Sequence, residues 1–318
     1  MTAAAAARRT GLLCLLATTL GWGLNWPAMR HLTQELPPLV ARGSSGLVAA
    51  LLLGLLSVAL GHSLRLPRAL WVRLPLVSLV NVFAWQGFST LSLRWLNAGQ
   101  GALLVYTMPV WAMLFAWPLL HERPTPRSLA ALALCGGGLW LFFGASGLPL
   151  DAGHLAGIGF ALAAATIFAA GTVAMQPIAG LPPLTLVTWQ LFFGCLPMLL
   201  IGLAFEQPHW AGVTPLGWWL YAYMTVVPMG VCYIAWFAAL RRVPATTATA
   251  ATLLTPVVGV VAGAVVLGEP FGWRQVLALG LALAGIGLAL RRGAAPRARA
   301  RQPRTRQVQD GSPATRSE

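Results

Sequence analysis

The sequence predicts an all-α polytopic membrane protein, ten transmembrane helices built as two inverted five-helix repeats, and three observations predict it. Charged residues make up 9% of 318 positions and hydrophobic residues 58%, against roughly 25% charged in a soluble domain, so a water-soluble fold could not cover itself. Apolar runs of about 20 residues, the length a helix needs to cross a ~30 Å hydrocarbon core, recur from end to end. The second half of the chain repeats landmarks of the first at a near-constant spacing.

Apolar length and Gly, Pro and Arg punctuation place the spans near Gly11 to Arg30, Pro38 to Leu60, Pro75 to Leu93, Ala98 to Leu120 and Ser128 to Ala145. The second set runs near Leu155 to Met175, Leu184 to Phe205, Trp218 to Leu240, Ala245 to Gly268 and Trp273 to Leu290. The expected organisation is a cytoplasmic N-terminus (1–10), a first repeat (11–145), an external linker (146–154), a second repeat (155–290) and an Arg-rich disordered cytoplasmic tail (291–318). Arg8 and Arg9 ahead of an apolar stretch imitate a secretory signal, but nine further spans read as an uncleaved first helix.

All 21 basic residues are Arg and the net charge is +14. Nearly all flank apolar runs or lie in the tail, which excludes the basic stripe interleaved with aromatics that nucleic-acid binding needs. With the N-terminus inside, the cytoplasmic loops hold nine Arg and the external ones three, Arg30, Arg94 and Arg274. The positive-inside rule then puts both termini in the cytoplasm of a bacterial inner membrane. The tail, with eight Arg, is expected to meet anionic lipid headgroups. The four Cys lie inside apolar runs and indicate no disulfide or metal framework.

A shift of 147 maps Arg94 onto Arg241, Pro109 onto Pro256, Glu122 onto Glu269, Arg127 onto Arg274 and Gly138 onto Gly285. Leu36-Pro37-Pro38-Leu39 returns as Leu181-Pro182-Pro183-Leu184 at a shift of 145. Five spans per half make the second half enter the membrane from the opposite side, and inverted repeats give secondary transporters two related states around a midplane site. The chain also resembles the drug/metabolite transporter superfamily, specifically its EamA-type ten-helix members, over about Gly11 to Arg292. The residues that carry this are Trp22-Gly23 with Asn25, Arg42, a proline thirteen residues before a Glu closing spans four and nine, and Gly-rich spans five and ten. The resemblance implies a central cavity enclosed by spans one to four and six to nine, and export of amino acids, other metabolites or drugs. Val187 stands opposite Arg42 in the second half, so charge symmetry is absent.

Candidate cavity residues are Trp22, Asn25, Arg42, Asn81, Trp85, Gln86, Tyr106, Trp189, Gln190 and Tyr233. A membrane Arg costs at least ~2.5 kcal/mol. Arg42 reads either as a bidentate partner for a carboxylate or phosphate, or as a side chain snorkelling outward toward Glu35. The amides read as cargo contacts or as interhelical glue, and the aromatics as pocket walls or packing. Pro109 and Pro256 each remove a backbone bond opposite the carbonyls of Val105 and Thr252 and are expected to bend their helices. Glu122 and Glu269 read as structural helix-end residues. Small pairs such as Ala133 with Gly137 and Gly280 with Ala284 suit close helix packing, within the monomer or across a homodimer.

No cofactor or metal is expected. An enzyme is disfavoured, since His121-Glu122 is followed by Thr125 where a zinc helix needs a second His, and a non-transporting sensor or scaffold is the remaining alternative. The Arg bias gives a direct test: single cysteines near Asp151 and Glu206 should react with an impermeant thiol reagent from outside, and those near Arg68 and Arg242 should not. Labelling of the Arg242 loop from outside would overturn the inverted assignment.

Overall fold

The computed structural model describes residues 3–121, 125–145, 151–175 and 178–290, and regular structure among them is entirely helical. The segments are α1 (Ala3–Glu35), α2 (Pro38–Ala59), α3 (Arg68–Ser92), α4 (Ala98–Leu120) and α5 (Pro126–Ala145). They continue as α6 (Ala152–Ala174), α7 (Pro183–Phe205), α8 (Pro215–Leu240), α9 (Ala245–Thr252 followed by Leu254–Leu267) and α10 (Trp273–Leu290). Among the described residues nine are apolar and long enough to cross a bilayer, and α9, divided at Leu253, has the shorter apolar piece Leu254–Leu267. The Arg-rich tail and Glu122 lie outside the described residues.

Local chemistry explains the helix starts. Pro38, Pro183 and Pro215 occupy the first helical position, where proline's missing N–H is no loss and its fixed φ suits the helix. The repeated Leu-Pro-Pro-Leu motif is therefore the start signal of α2 and of α7. Asn97 and Gln100 form a reciprocal capping box on α4, and Thr214 caps α8. Asp151 caps α6 by accepting from the backbone N–H of His154 at 2.8 Å and meeting its imidazole at 2.9 Å. Those contacts, the backbone bond foremost, hold its carboxyl below the usual range. α1 extends beyond Gly11 to Arg30 at both ends, because its alanine-rich first turns are strong helix formers and Pro37 halts it only after Glu35.

The repeat is visible as paired contacts. A Cβ on Gly138 would lie 2.7 Å from both the Ala278 carbonyl oxygen and the Ala282 nitrogen. One on Gly285 would lie 2.7 Å from the Ala131 oxygen and the Cys135 nitrogen. The 147-residue shift exchanges these two sets, so α5 and α10 cross antiparallel about a local two-fold. Along α2 and α7, Gly202 abuts the backbone of Val40 while the Ser57 and Thr185 hydroxyls hydrogen-bond at 2.9 Å, and the 145-residue shift exchanges those. α1 runs through the centre, packed on α4, α8 and α9.

Gly137 and Gly280, expected from sequence to bring helices together, face open space instead. Their helices meet through Gly138 and Gly285, on the neighbouring face. Gly138→Ala and Gly285→Ala should each destabilise by roughly 1–3 kcal/mol, because the new methyl meets backbone that cannot swing away. Gly137→Ala and Gly280→Ala should be neutral or stabilising, since alanine is the better helix former. Thermal unfolding in detergent checks this, and equal costs at all four positions would contradict it.

Candidate functional site

Four irregular stretches of backbone converge at the middle of the bundle. α4 is interrupted at Tyr106 and Thr107 and α9 at Leu253, each interruption starting three residues before its proline, Pro109 or Pro256. α3 widens into π-helix over Leu79–Gly87 and α8 over Val227–Val231, where Pro228 interrupts the ladder. Non-helical backbone at membrane depth is stable only where protein or a water-filled cavity satisfies it. α1 supplies much of that: Trp22 Nε1 donates to the Pro228 carbonyl at 3.0 Å, Thr18 Oγ1 to that of Cys232 at 3.3 Å, and Thr19 Oγ1 to that of Ala251 at 3.2 Å. In α4, Thr107 Oγ1 donates to the Leu104 carbonyl at 2.6 Å.

These stretches surround a cavity of about 310 Å³. α1 contributes Trp22, Asn25, Trp26 and Met29, α2 contributes Arg42, and α3 contributes Asn81, Trp85, Gln86 and Ser89. Tyr106 and Met108 of α4, Phe168 of α6 and Thr252 of α9 form another wall, and Pro228, Met229, Tyr233 and Trp236 of α8 complete it. An apolar annex of about 240 Å³ shares Tyr106, Met108, Phe168 and Thr252 and extends to Thr172 and Leu290, toward the end of the bundle where α6 and α10 finish.

Eight of the ten residues picked from sequence line this cavity, and Trp189 and Gln190 do not. α7 is pressed flush against α2, with Gly46 against Cys195 and Gly43 against Leu199, so its inner face holds small contacts. Trp189 stands on the outer side of that seam, where its indole donates to the Leu64 carbonyl at 3.0 Å and stacks on Phe193. Gln190, half-buried on the same helix, reaches neither cavity nor annex. Trp26, Met29, Phe168 and Trp236 were missed, because an apolar residue in an apolar span carries no mark of the face it lies on. Thr252 and Pro228 did carry a signal, one as the carbonyl opposite Pro256 and the other as a mid-span proline like Pro109.

Arg42 is buried inside the bundle. Its side chain is 3% exposed, and its Nε and Nη1 have no hydrogen-bond partner. Glu35 is engaged elsewhere, with Thr214 and His31, so the snorkelling pair is absent. On the same cavity wall, Trp85 Nε1 is a third unpaired donor, while the side-chain oxygens of Asn25, Asn81 and Gln86 are unpaired acceptors. Each such buried group costs about 1–3 kcal/mol if left without a partner. No carboxylate lines the cavity to repel an anion, and no cluster of metal-binding side chains occurs among the described residues. Trp22 packs edge-on to Tyr233 at 5.8 Å and Trp85 meets Phe168 at 6.2 Å, giving aromatic walls to a polar centre.

Comparison with known proteins agrees with this architecture. The profile described as the EamA-like transporter family matches residues 9–144 and again 155–291. An uncharacterised transporter of Bacillus subtilis, YvbV, is 28% identical over 82% of this chain and 85% of its own. A probable amino-acid metabolite efflux pump of Salmonella typhimurium is 27% identical over 88% of this chain and 94% of its own. A probable terminal-alkyne amino-acid exporter of Streptantibioticus cattleyicolor is also 27% identical, covering 91% and 96%. A solved structure at 20% identity superposes with a TM-score of 0.61 over 92% of this chain and 99% of the other, which establishes the shared fold.

Proposed function

The chain belongs to the EamA-like transporter family, and we propose that within it the protein is a secondary transporter or facilitator exporting an amino-acid-like solute from the cytoplasm by alternating access. Membership supports a multi-pass membrane transporter of small metabolites, and the relatives' names point to transport. The observation that carries the finer reading is Arg42, a buried guanidinium in the central cavity with two nitrogens unpaired. A carboxylate on the cargo would accept from it in a bidentate pair, with the Trp85 indole N–H as a further donor. The three amide oxygens of Asn25, Asn81 and Gln86 complement an ammonium group, which carries three donors and no acceptor. A zwitterion thus matches both halves of the unpaired set, and the aromatic walls and annex suit an apolar side chain.

Where the cavity leads supports the export reading. Its annex runs to the ends of α6 and α10, which the Arg distribution assigns to the cytoplasm, so cargo would load from inside. Two relatives whose names specify amino-acid efflux or export favour the same cargo class and direction.

The test is flux per inserted molecule in liposomes, for a panel of apolar amino acids and their carboxamides. Arg42→Gln should lower flux of the carboxylate-bearing solute roughly 10–100-fold, the worth of a charge-assisted hydrogen bond. Arg42→Lys should remain well below wild type, because an ammonium lacks the planar fork. Wild-type flux from Arg42→Gln would end this reading.

A further inference from the structure

Among the described residues the carboxylates are Glu35, Asp151, Glu206 and Glu269, and the topology puts all of them at one end of the bundle, away from the annex mouth. Asp151 caps its own helix, but the three glutamates each bind the start of a different helix. Glu35, ending α1, accepts from the backbone N–H and the hydroxyl of Thr214, both at 2.8 Å, at the head of α8. Glu206, just past α7, accepts from the N–H groups of Leu39 at 3.2 Å and Val40 at 2.9 Å, in the first turn of α2. Glu269, just past α9, accepts from Ala98 at 2.6 Å and Gly99 at 3.0 Å, in the first turn of α4. Each contact places a carboxylate on unpaired N–H groups at the positive end of a helix dipole, where a negative charge binds best.

The surroundings are shaped around these carboxylates. A Cβ on Gly263 would lie 2.5 Å from Glu269 Oε2, and one on Gly217 would collide with Glu35, so glycine clears both places. Glu35 and Glu206 also border a polar recess of about 390 Å³ with Arg94 and His209, on the far side of the sealed end from the cavity. Five of the six helices joined in this way, α1, α2, α4, α8 and α9, line the central cavity. The breaks at Tyr106–Thr107 and Leu253 lie on the cavity side of the Glu269 tie, so the half-helices Ala98–Val105 and Leu254–Leu267 are joined beyond their hinges.

We propose that Glu35, Glu206 and Glu269 are the latches of the closed gate, and that their release from the starts of α8, α2 and α4 exposes the cavity at this end. The proposal rests on the transport reading above, because only a pathway that opens at both ends needs a gate here.

The experiment uses the full chain in vesicles with Ser89→Cys as reporter, a cavity position on the sealed side of α3. An impermeant thiol reagent is applied from the face bearing Glu206, and the same protein without Ser89→Cys supplies the background of the four native cysteines. Glu35→Gln, Glu206→Gln and Glu269→Gln keep shape and one acceptor oxygen but remove the charge. Each should speed labelling of the introduced thiol about tenfold, with Cys135, packed in the α5–α10 seam, labelling no faster. Unchanged labelling in all three would overturn the proposal, as would labelling of Cys135 that rises in parallel, which would mark the glutamates as static caps. No cargo enters this assay, so a chain that opens in this way yet carries no flux would refute the transport reading and leave the latches standing.

Discussion

A guanidinium held in the middle of the bundle without a carboxylate partner is the constraint around which the rest of the molecule is arranged. An Arg in a membrane helix costs up to about 2.5–3.5 kcal/mol on insertion scales, and burial without a partner adds to it. Packing alone gives no return on that cost, because a hydrophobic residue at position 42 would fill the α2 face as well. The cost is tolerable only if a water-filled cavity or a cargo solvates the charge. The neighbouring unpaired atoms of Trp85, Asn25, Asn81 and Gln86 extend that requirement to a whole polar centre.

The cavity that meets this requirement exists because four helices lose their regular ladder at the same depth. Prolines in α4, α8 and α9 remove backbone donors, and α3 answers with a widened stretch of its own. The inverted repeat accounts for the coincidence. A break in α4 just after Val105 is copied into α9 just after Thr252, and both copies face the same axis. The same symmetry leaves α5 and α10 regular and tightly apposed through Gly138 and Gly285, a seam away from the cavity. The glutamate ties join helices at the end of the bundle opposite the annex.

Much of this was legible in the sequence, for identifiable physical reasons. Helix number and hand of repeat follow from apolar length and from landmarks such as Pro109 and Pro256, which mean the same thing wherever they occur. Arg42 and the amides stand out because polar atoms in hydrocarbon are costly. Which face a side chain occupies was not legible in helices that are apolar all round. Trp189 looked like Trp85 until α7 was seen to lie flush on α2, and Phe168 looked like any core residue. Glu269 was legible as a helix-end residue, but its partners on α4 lie 170 residues away, beyond any local pattern. The widened stretch of α3, Leu79–Gly87, holds no proline of its own, so no residue within it announced the widening.

The central claim is that Arg42 holds the anionic group of the cargo, and equilibrium binding tests it with the fewest assumptions. An apolar amino acid and its carboxamide would be titrated into wild-type protein and Arg42→Gln in detergent, closing a double-mutant cycle between guanidinium and carboxylate. The account expects wild type to favour the acid at least about tenfold, the worth of one charge-assisted hydrogen bond, and Arg42→Gln to bind acid and amide alike. A preference for the acid that survives intact in Arg42→Gln would contradict it.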